Sequence, residues 1–545
     1  MSAERALPPA RPPLLPRSRG ARWALAALLA FALLRGLAFA VMIPAFWAPD
    51  EDYHFLYGEH LAAQHSLIDP DKPIYPREYQ KLAEVIKYDS YDSGPRSDFS
   101  GDPRKSLRAL EALPDSAREP TLEGRGVGVV HPPLYHLTVA AVDRAAGEAS
   151  MLTRLTWARI MTTLFGVLAV YAAWLLAAQV FTRFRLQILA AFLVAVQPIV
   201  AYEAGIVNHD SALIAFFTAG MAMMLFVVRT PPRPRQGAWL AAPIVLALLV
   251  KGTALVLLPL AALALLAQGL TWRPAWRQTA RSALLALGLI ALLAGWWYVR
   301  AQLVYGSATG AVSDVVGASK HPSLGDYLGF VRSWTLLTYR TYWFHFVFFE
   351  TPGPSLEYFV PMAIGAIGIA GLAVAAWSER RRLLDPARAR LRQIVLMVLA
   401  ALLLYLSFLW LDVARMAAGQ PFLVNGGRYL VPAYAGVAVL LIIGLRRLFR
   451  GRLESYALVG AALVATAFCA RVFYRYYIQR YFGEGEVGEL LRRISFDRPE
   501  FVTPFTLGLL GALVIVSLAA FAVAVLRAPP DTVSTPPSPP ASSNA

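Results

Sequence analysis

His131-Pro132-Pro133-Leu134-Tyr135-His136-Leu137-Thr138-Val139-Ala140-Ala141-Val142-Asp143-Arg144-Ala145-Ala146 is the stretch on which the membrane topology turns. A helix needs about 20 predominantly apolar residues to cross the hydrocarbon core. This segment has 16 residues and carries His136, Asp143 and Arg144. It fits an amphipathic helix lying at the interface better than a span. Around it, apolar runs near 21–46, 155–181, 187–205, 210–228, 282–303, 356–377, 393–412, 429–445, 455–473 and 503–527 are long enough to cross. The run 237–269, interrupted at Lys251-Gly252, reads as a hairpin of two short spans, giving about twelve.

Arginine placement decides between the alternatives. If 131–146 stays on one side, seven connections fall on the side of the N-terminus: 1–22, Arg183/Arg185, Arg229–Arg235, Arg273–Arg281, Arg380–Arg392, Arg446–Arg452 and the tail after Arg527. They hold 24 Arg. If the segment crosses, every later loop flips and these arginines move outside, against the positive-inside rule. The expected fold is therefore an all-α polytopic membrane protein with both termini cytoplasmic. A large extracytoplasmic first loop, 47–154, carries the interfacial helix.

Composition agrees. Of 545 residues, 57% are hydrophobic and 16% charged, whereas soluble domains average about 45–50% and about 25%. The net charge of +16 comes from the arginine-rich connections and implies no nucleic-acid partner; residues 50–125 are locally acidic, with 16 Asp/Glu against 10 Lys/Arg. The single Cys469 allows no internal disulfide. Ala38-Phe39-Ala40 could pass for a signal-peptidase site, but the preceding apolar run of about two dozen residues exceeds the 7–15 of a signal peptide, so the first span reads as an uncleaved anchor. The expected divisions are a cytoplasmic segment 1–20, a transmembrane module 21–445, C-terminal transmembrane helices within 446–527 and a disordered cytoplasmic tail, 528–545, rich in Pro, Ser and Thr.

This topology gathers the unusual polar residues on the outer face. Pro49-Asp50-Glu51-Asp52-Tyr53-His54 follows the first span. Pro49 ends the span, Asp50 is placed to cap the next helix, and Asp50 and His54 share a face one turn apart. Acids at a helix start answer the dipole, yet three in sequence at a membrane boundary are costly unless solvated, paired or used. Asp50 and Glu51 are the candidate catalytic carboxylates. Asp210, in Asn208-His209-Asp210 between the third and fourth spans, is a third; capping of the fourth span is its competing role. The candidate substrate-binding residues are His54, His131, Lys251, Arg300 and Arg428. A lone interfacial His or a terminal Arg often serves structure alone. Three cations facing an acid-bearing surface suggest an anion such as phosphate, gripped bidentately by Arg. Asp50, Glu51 and Asp52 also offer oxygen ligands to a divalent cation. The aromatic run from Tyr342 to Phe349 reads as an interfacial belt. No Walker A loop, His-Glu-x-x-His, CxxC or GxSxG occurs.

At these residues the chain resembles the GT-C class of integral-membrane glycosyltransferases, such as protein O-mannosyltransferases and the aminoarabinose transferases of lipid A. The matching elements, spread over about 21–445, are Pro49-Asp50-Glu51-Asp52-Tyr53-His54-Phe55, His131-Pro132-Pro133-Leu134-Tyr135, Asp210, Trp297-Tyr298-Val299-Arg300 and Gly427-Arg428-Tyr429-Leu430-Val431-Pro432. A common bacterial motif reads Pro-Asp-Glu-Pro-x-His-Phe; Asp52 here replaces its second Pro and adds a charge. Residues 474–545 match nothing in the class. The resemblance implies transfer of a sugar from a polyprenyl-phosphate carrier to a cell-envelope glycan, lipid or protein acceptor outside the membrane. It needs no nucleotide. The competing readings are a transporter or flippase of a lipid-linked or anionic solute, which calls for broken helices near the midplane, and a catalytically silent assembly protein.

Overall fold

A computed structural model describes residues 14–68, 75–86, 99, 102, 105–118, 120–122, 131–308, 322–343, 356–380, 389–417, 419 and 426–528. The N-terminal residues before 14, the tail beyond 528, the aromatic run from Phe344, and Asn425 lie outside them. The chain is an all-α polytopic membrane protein. Its helices begin with α1 (Arg19–Met42), α2 (Glu51–Gln64), α3 (Arg77–Ile86), α4 (Lys105–Glu111) and α5 (Leu134–Ala146). Next come α6 (Met151–Val180), α7 (Phe184–Val196), α8 (Pro198–Glu203), α9 (Asp210–Val227), α10 (Gln236–Leu248) and α11 (Leu257–Thr271). They are followed by α12 (Trp276–Tyr305), α13 (Leu324–Trp343), α14 (Phe359–Glu379), α15 (Arg390–Ala417) and α16 (Tyr434–Leu448). The series ends with α17 (Arg452–Phe473), α18 (Gln479–Phe482), α19 (Val487–Ile494) and α20 (Pro504–Arg527). A two-stranded antiparallel pair, Tyr75–Pro76 with Pro120–Leu122, is the one β element among the described residues.

Ten of the described helical stretches are long and apolar enough to cross a membrane, and α7 and α10 are shorter apolar helices. Together they occupy the twelve expected spans. The third is not continuous: Pro198 lacks the N–H that would extend α7. Gln197 instead accepts from Val200 N at 2.7 Å and restarts the chain as α8. The Lys251 hairpin is present, with a 3-10 turn over Gly252–Val256 leading into α11.

The bundle has a dry centre and a greasy rim. In α9, 83% of the apolar window is buried against neighbouring helices, but in α20 only 11%. Leu287, Leu292, Ile515 and Val516 on the rim expose bare apolar side chains, as a lipid-facing surface requires. α6 packs along α9 at the centre, and α20 along α1.

The segment 131–146 forms α5 as a separate short helix. It packs against α2 and α6, burying Tyr135, His136, Val139 and Ala140. α2 approaches so closely that a Cβ on Gly58 would lie 2.3 Å from Val139 Cγ1. A buried ion cluster fixes this layer to the membrane bundle. Arg154 of α6 reaches Glu59 of α2 at 2.6 Å, Glu78 of α3 at 2.8 Å and Asp143 of α5 at 2.9 Å.

Candidate active site

Asp50 stands where α1 has ended and α2 begins, and it departs from the expected cap. Its backbone is left-handed, φ +60°, and its side chain makes no capping bond. This conformation is uncommon for a residue with a Cβ. The carboxylate is paired with the Arg428 guanidinium instead. Because successive helical side chains diverge by about 100°, the three consecutive acids part company. Glu51 is fully buried and binds Arg159 of α6, whose Nε lies 2.7 Å from Oε1. It also accepts from Val207 N at 3.0 Å and Phe46 N at 3.2 Å. Asp52 accepts from the Tyr79 hydroxyl at 3.0 Å. Burial pushes the Asp52 carboxyl up to about 6, against the lowering effect of that hydrogen bond. The three acids therefore form no common set of cation ligands.

The turn before α9 is stapled to this motif. Besides the Val207 bond to Glu51, Asn208 Nδ2 donates to Pro49 O at 3.4 Å. Asn208 Oδ1 accepts from Asp210 N at 2.9 Å, so Asn208 does the capping. That frees the Asp210 carboxylate, which meets Lys251 Nζ at 2.6 Å. Lys251 is brought there by the break between α10 and α11, and Leu249 O accepts from Leu134 N at 3.1 Å, tying the same break to the start of α5.

Arg428 opens a 3-10 turn ahead of α16. Gly427 before it lies against α13: a Cβ there would sit 2.2 Å from Tyr342 N. Only glycine permits that approach. The ring of Tyr429 lies between the two cations, 4.6 Å from Lys251 Nζ and 5.0 Å from Arg428 Cζ. Arg428 is 4% exposed, yet its Nε and Nη1 have no hydrogen-bond partner. Asp210 Oδ2 and Glu203 Oε2 are buried and unpartnered as well. Orphaned buried polar atoms are rare in folded proteins. Four of them belonging to three neighbouring groups, with His209 Nε2 beside them, define an address for a polar ligand or water.

Four histidines adjoin the charges. His54 Nδ1 lies 3.0 Å from His136 Nε2, and His54 Nε2 lies 2.9 Å from His209 Nδ1. His131 has its ring centroid 4.4 Å from that of His209. Burial is the main cause that lowers all four, with repulsion from Lys251 or the other imidazoles adding to it: His131 falls to about 4, His136 to about 3, and His54 and His209 well below their usual value.

The structure thus brings Asp50, Asp210, His54, His131, Lys251 and Arg428 together. It places two expected residues elsewhere. Glu51 is turned into the Arg159 pair, and Arg300 of α12 donates to Tyr305 Oη at 2.9 Å, with no acid of the cluster as partner.

The profile of a family described as a predicted membrane protein, DUF2142, matches residues 33–441. The chain belongs to the DUF2142 family. No functionally curated protein matches it. Among solved structures, this DUF2142 chain is similar to the archaeal oligosaccharyltransferase AglB of Archaeoglobus fulgidus, in complex with an inhibitory peptide and a dolichol-phosphate. The identity is 15% and the TM-score 0.46, over 86% of this chain and 57% of that one. It is also similar to ArnT of Cupriavidus metallidurans bound to undecaprenyl phosphate, at 16% identity and a TM-score of 0.43, over 91% of this chain and 74% of the other. The chain thus spans little more than half the length of the archaeal enzyme.

In the DUF2142 chain Glu203, which the sequence groups with Asn208, His209 and Asp210 at one membrane edge, ends α8 and joins the site. Two further members were not singled out from sequence. Tyr429 follows Arg428 directly, and an aromatic neighbour of a buried Arg is a usable sign of a cation–π partner. His136 lies five residues after His131 across two prolines, a spacing that belongs to no one helical face.

Proposed function

We propose that the protein is a membrane glycosyltransferase that moves a sugar from a polyprenyl-phosphate carrier to an acceptor on the extracytoplasmic face. The observation that carries this reading is Arg428: a buried guanidinium with one arm on Asp50 and two donor nitrogens unpartnered. A donor phosphate that accepts from Nε or Nη1, and takes over Nη2 from Asp50 to complete the planar fork, would have Lys251 as a second cation nearby. Drawing Arg428 toward the phosphate loosens its hold on Asp50, which then accepts a proton. In the reaction an acceptor oxygen attacks the anomeric carbon as the carbon–phosphate oxygen bond breaks. The acceptor proton passes to Asp50, and polyprenyl phosphate departs with its added charge on Arg428 and Lys251. Asp210 keeps Lys251 in place. In this reading His54 and His131 line the sugar side of the site, and membrane lipid surrounds the carrier chain.

Arginine sidedness supports a reading with the site extracytoplasmic and both termini in the cytoplasm. The transporter reading draws on two helix breaks, at Pro198 and Lys251. Lys251 belongs to the cluster with Asp50, Asp210 and Arg428, and the helix that restarts at Pro198 ends in Glu203 beside it, which favours a reaction centre over a path. Purified protein given a labelled polyprenyl-phosphate sugar and candidate acceptors tests the choice. Label moved to acceptor or released by hydrolysis supports the transferase, and label carried intact across a liposome bilayer supports the transporter.

A further inference from the structure

We propose that His54, His136 and His209 together hold one zinc-type transition-metal ion. The three side chains come from α2, α5 and the turn before α9, and are 2%, 0% and 2% exposed. One nitrogen from each lies within 4.8 Å of the other two. His54 Nδ1 is 3.0 Å from His136 Nε2 and 3.3 Å from His209 Nδ1. A tetrahedral zinc bound about 2.0–2.1 Å from each nitrogen sets its ligands about 3.4 Å apart, so two of the three spacings already match.

A ring nitrogen carries either a proton or a lone pair, and hydrogen bonds pair these rings two at a time, His54 Nδ1 with His136 Nε2 at 3.0 Å and His54 Nε2 with His209 Nδ1 at 2.9 Å. A metal satisfies one lone pair from each of the three rings at once. The outer surroundings agree. Asp210 Oδ1 is 3.8 Å from His209 Nε2, on the side away from the ligating nitrogen. A carboxylate behind a ligating imidazole is a recurrent orienting partner. Two carboxylates, Asp50 and Asp210, adjoin the cluster, paired with Arg428 and Lys251. Imidazole donors select zinc, cobalt, nickel or copper over magnesium and calcium. This assignment moves the metal from the acidic triplet to the histidines, and it stands whether or not the protein transfers sugar.

The test uses the full chain purified in detergent without chelator. Elemental analysis of the wild type is expected to find about one zinc per chain. Chelation should remove it and lower the thermal midpoint, and added zinc should restore both. Cobalt exchanged for zinc should give the visible absorption of a tetrahedral site, and zinc edge spectroscopy should count imidazole scattering from three ligands. His54→Ala, His136→Ala and His209→Ala should each lose most of the metal, whereas Asp50→Asn keeps it. Should the variants misfold, the wild-type spectrum still decides. Wild-type protein that takes up no zinc or cobalt, with an unchanged midpoint, or zinc held by oxygen ligands alone, would overturn the proposal. Zinc bound by imidazoles in a protein that turns over no lipid-linked sugar would keep it and sink the transferase reading.

Discussion

Glu51 and Arg159 provide a quantitative test of how the acid motif divides its labour. The pair is 0% and 2% exposed, with contacts of 2.7 and 2.5 Å between the guanidinium and the two carboxylate oxygens. Arg159 also donates to Pro44 O at 2.9 Å and to Ile43 O, holding the end of α1. Removing one partner strands the other charge without water, which costs about 3–5 kcal/mol. Glu51→Gln keeps the shape and leaves Arg159 its carbonyl partners, so its loss should lie near the lower end. Arg159→Met leaves the carboxylate two backbone N–H groups and should lie higher. The double variant buries neither charge, so it should recover about 2–3 kcal/mol relative to the sum of the singles. Unfolding of all four proteins by SDS in mixed micelles measures the cycle. Single variants within about 0.5 kcal/mol of wild type, or additive losses, would refute the structural assignment of Glu51.

Other outcomes follow from the same geometry. Gly58→Val drives side-chain atoms into Val139 and should destabilise the α2–α5 layer by about 1–3 kcal/mol, measured by the same titration. Glu59 is pushed up to about 8 by burial and by neighbouring Asp143 and Glu78, with Arg154 opposing. The folded state therefore holds a proton that the unfolded chain has released above about 4.5. The resulting stability is full below that value and lost as pH rises through 8, and Glu59→Gln should flatten this slope in thermal midpoints taken across pH 4.5–8. Arg428→Lys should weaken donor binding almost as much as Arg428→Ala, because a point charge replaces the fork; equal binding by all three proteins would remove Arg428 from the site. A cysteine at Ser378 should resist an impermeant thiol reagent applied from outside, and labelling there would overturn the twelve-span topology.

Hydropathy and arginine placement made the spans and the separate status of 131–146 legible, because both are set by bulk lipid and need no knowledge of packing. Local chemistry also exposed the outlying polar residues, since Asp50, Asp210, Lys251 and Arg428 each interrupt an apolar context. Which of them meet is a tertiary property. Asp50 resembles a cap in sequence, yet its left-handed backbone sends it to a residue 378 positions away. Of the two cap candidates in Asn208-His209-Asp210, Asn208 accepts from the first N–H of α9, and the Asp210 carboxylate turns to Lys251. Glu51 and Asp50 are neighbours in the chain but pair with different arginines, Arg159 and Arg428. The histidine cluster was the least legible, because its members come from three segments and no spacing within one helix relates them.

The central claim is that Asp50 is the base of a site that releases polyprenyl phosphate. Its most direct test compares wild type and Asp50→Asn in one labelled-donor assay, with insertion and donor binding measured alongside. The variant should bind donor and insert normally, while transfer falls about 10²–10⁴-fold, the usual contribution of general-base catalysis. Transfer at the wild-type rate by a correctly inserted Asp50→Asn protein, or a wild type that neither transfers nor hydrolyses any donor, would contradict it.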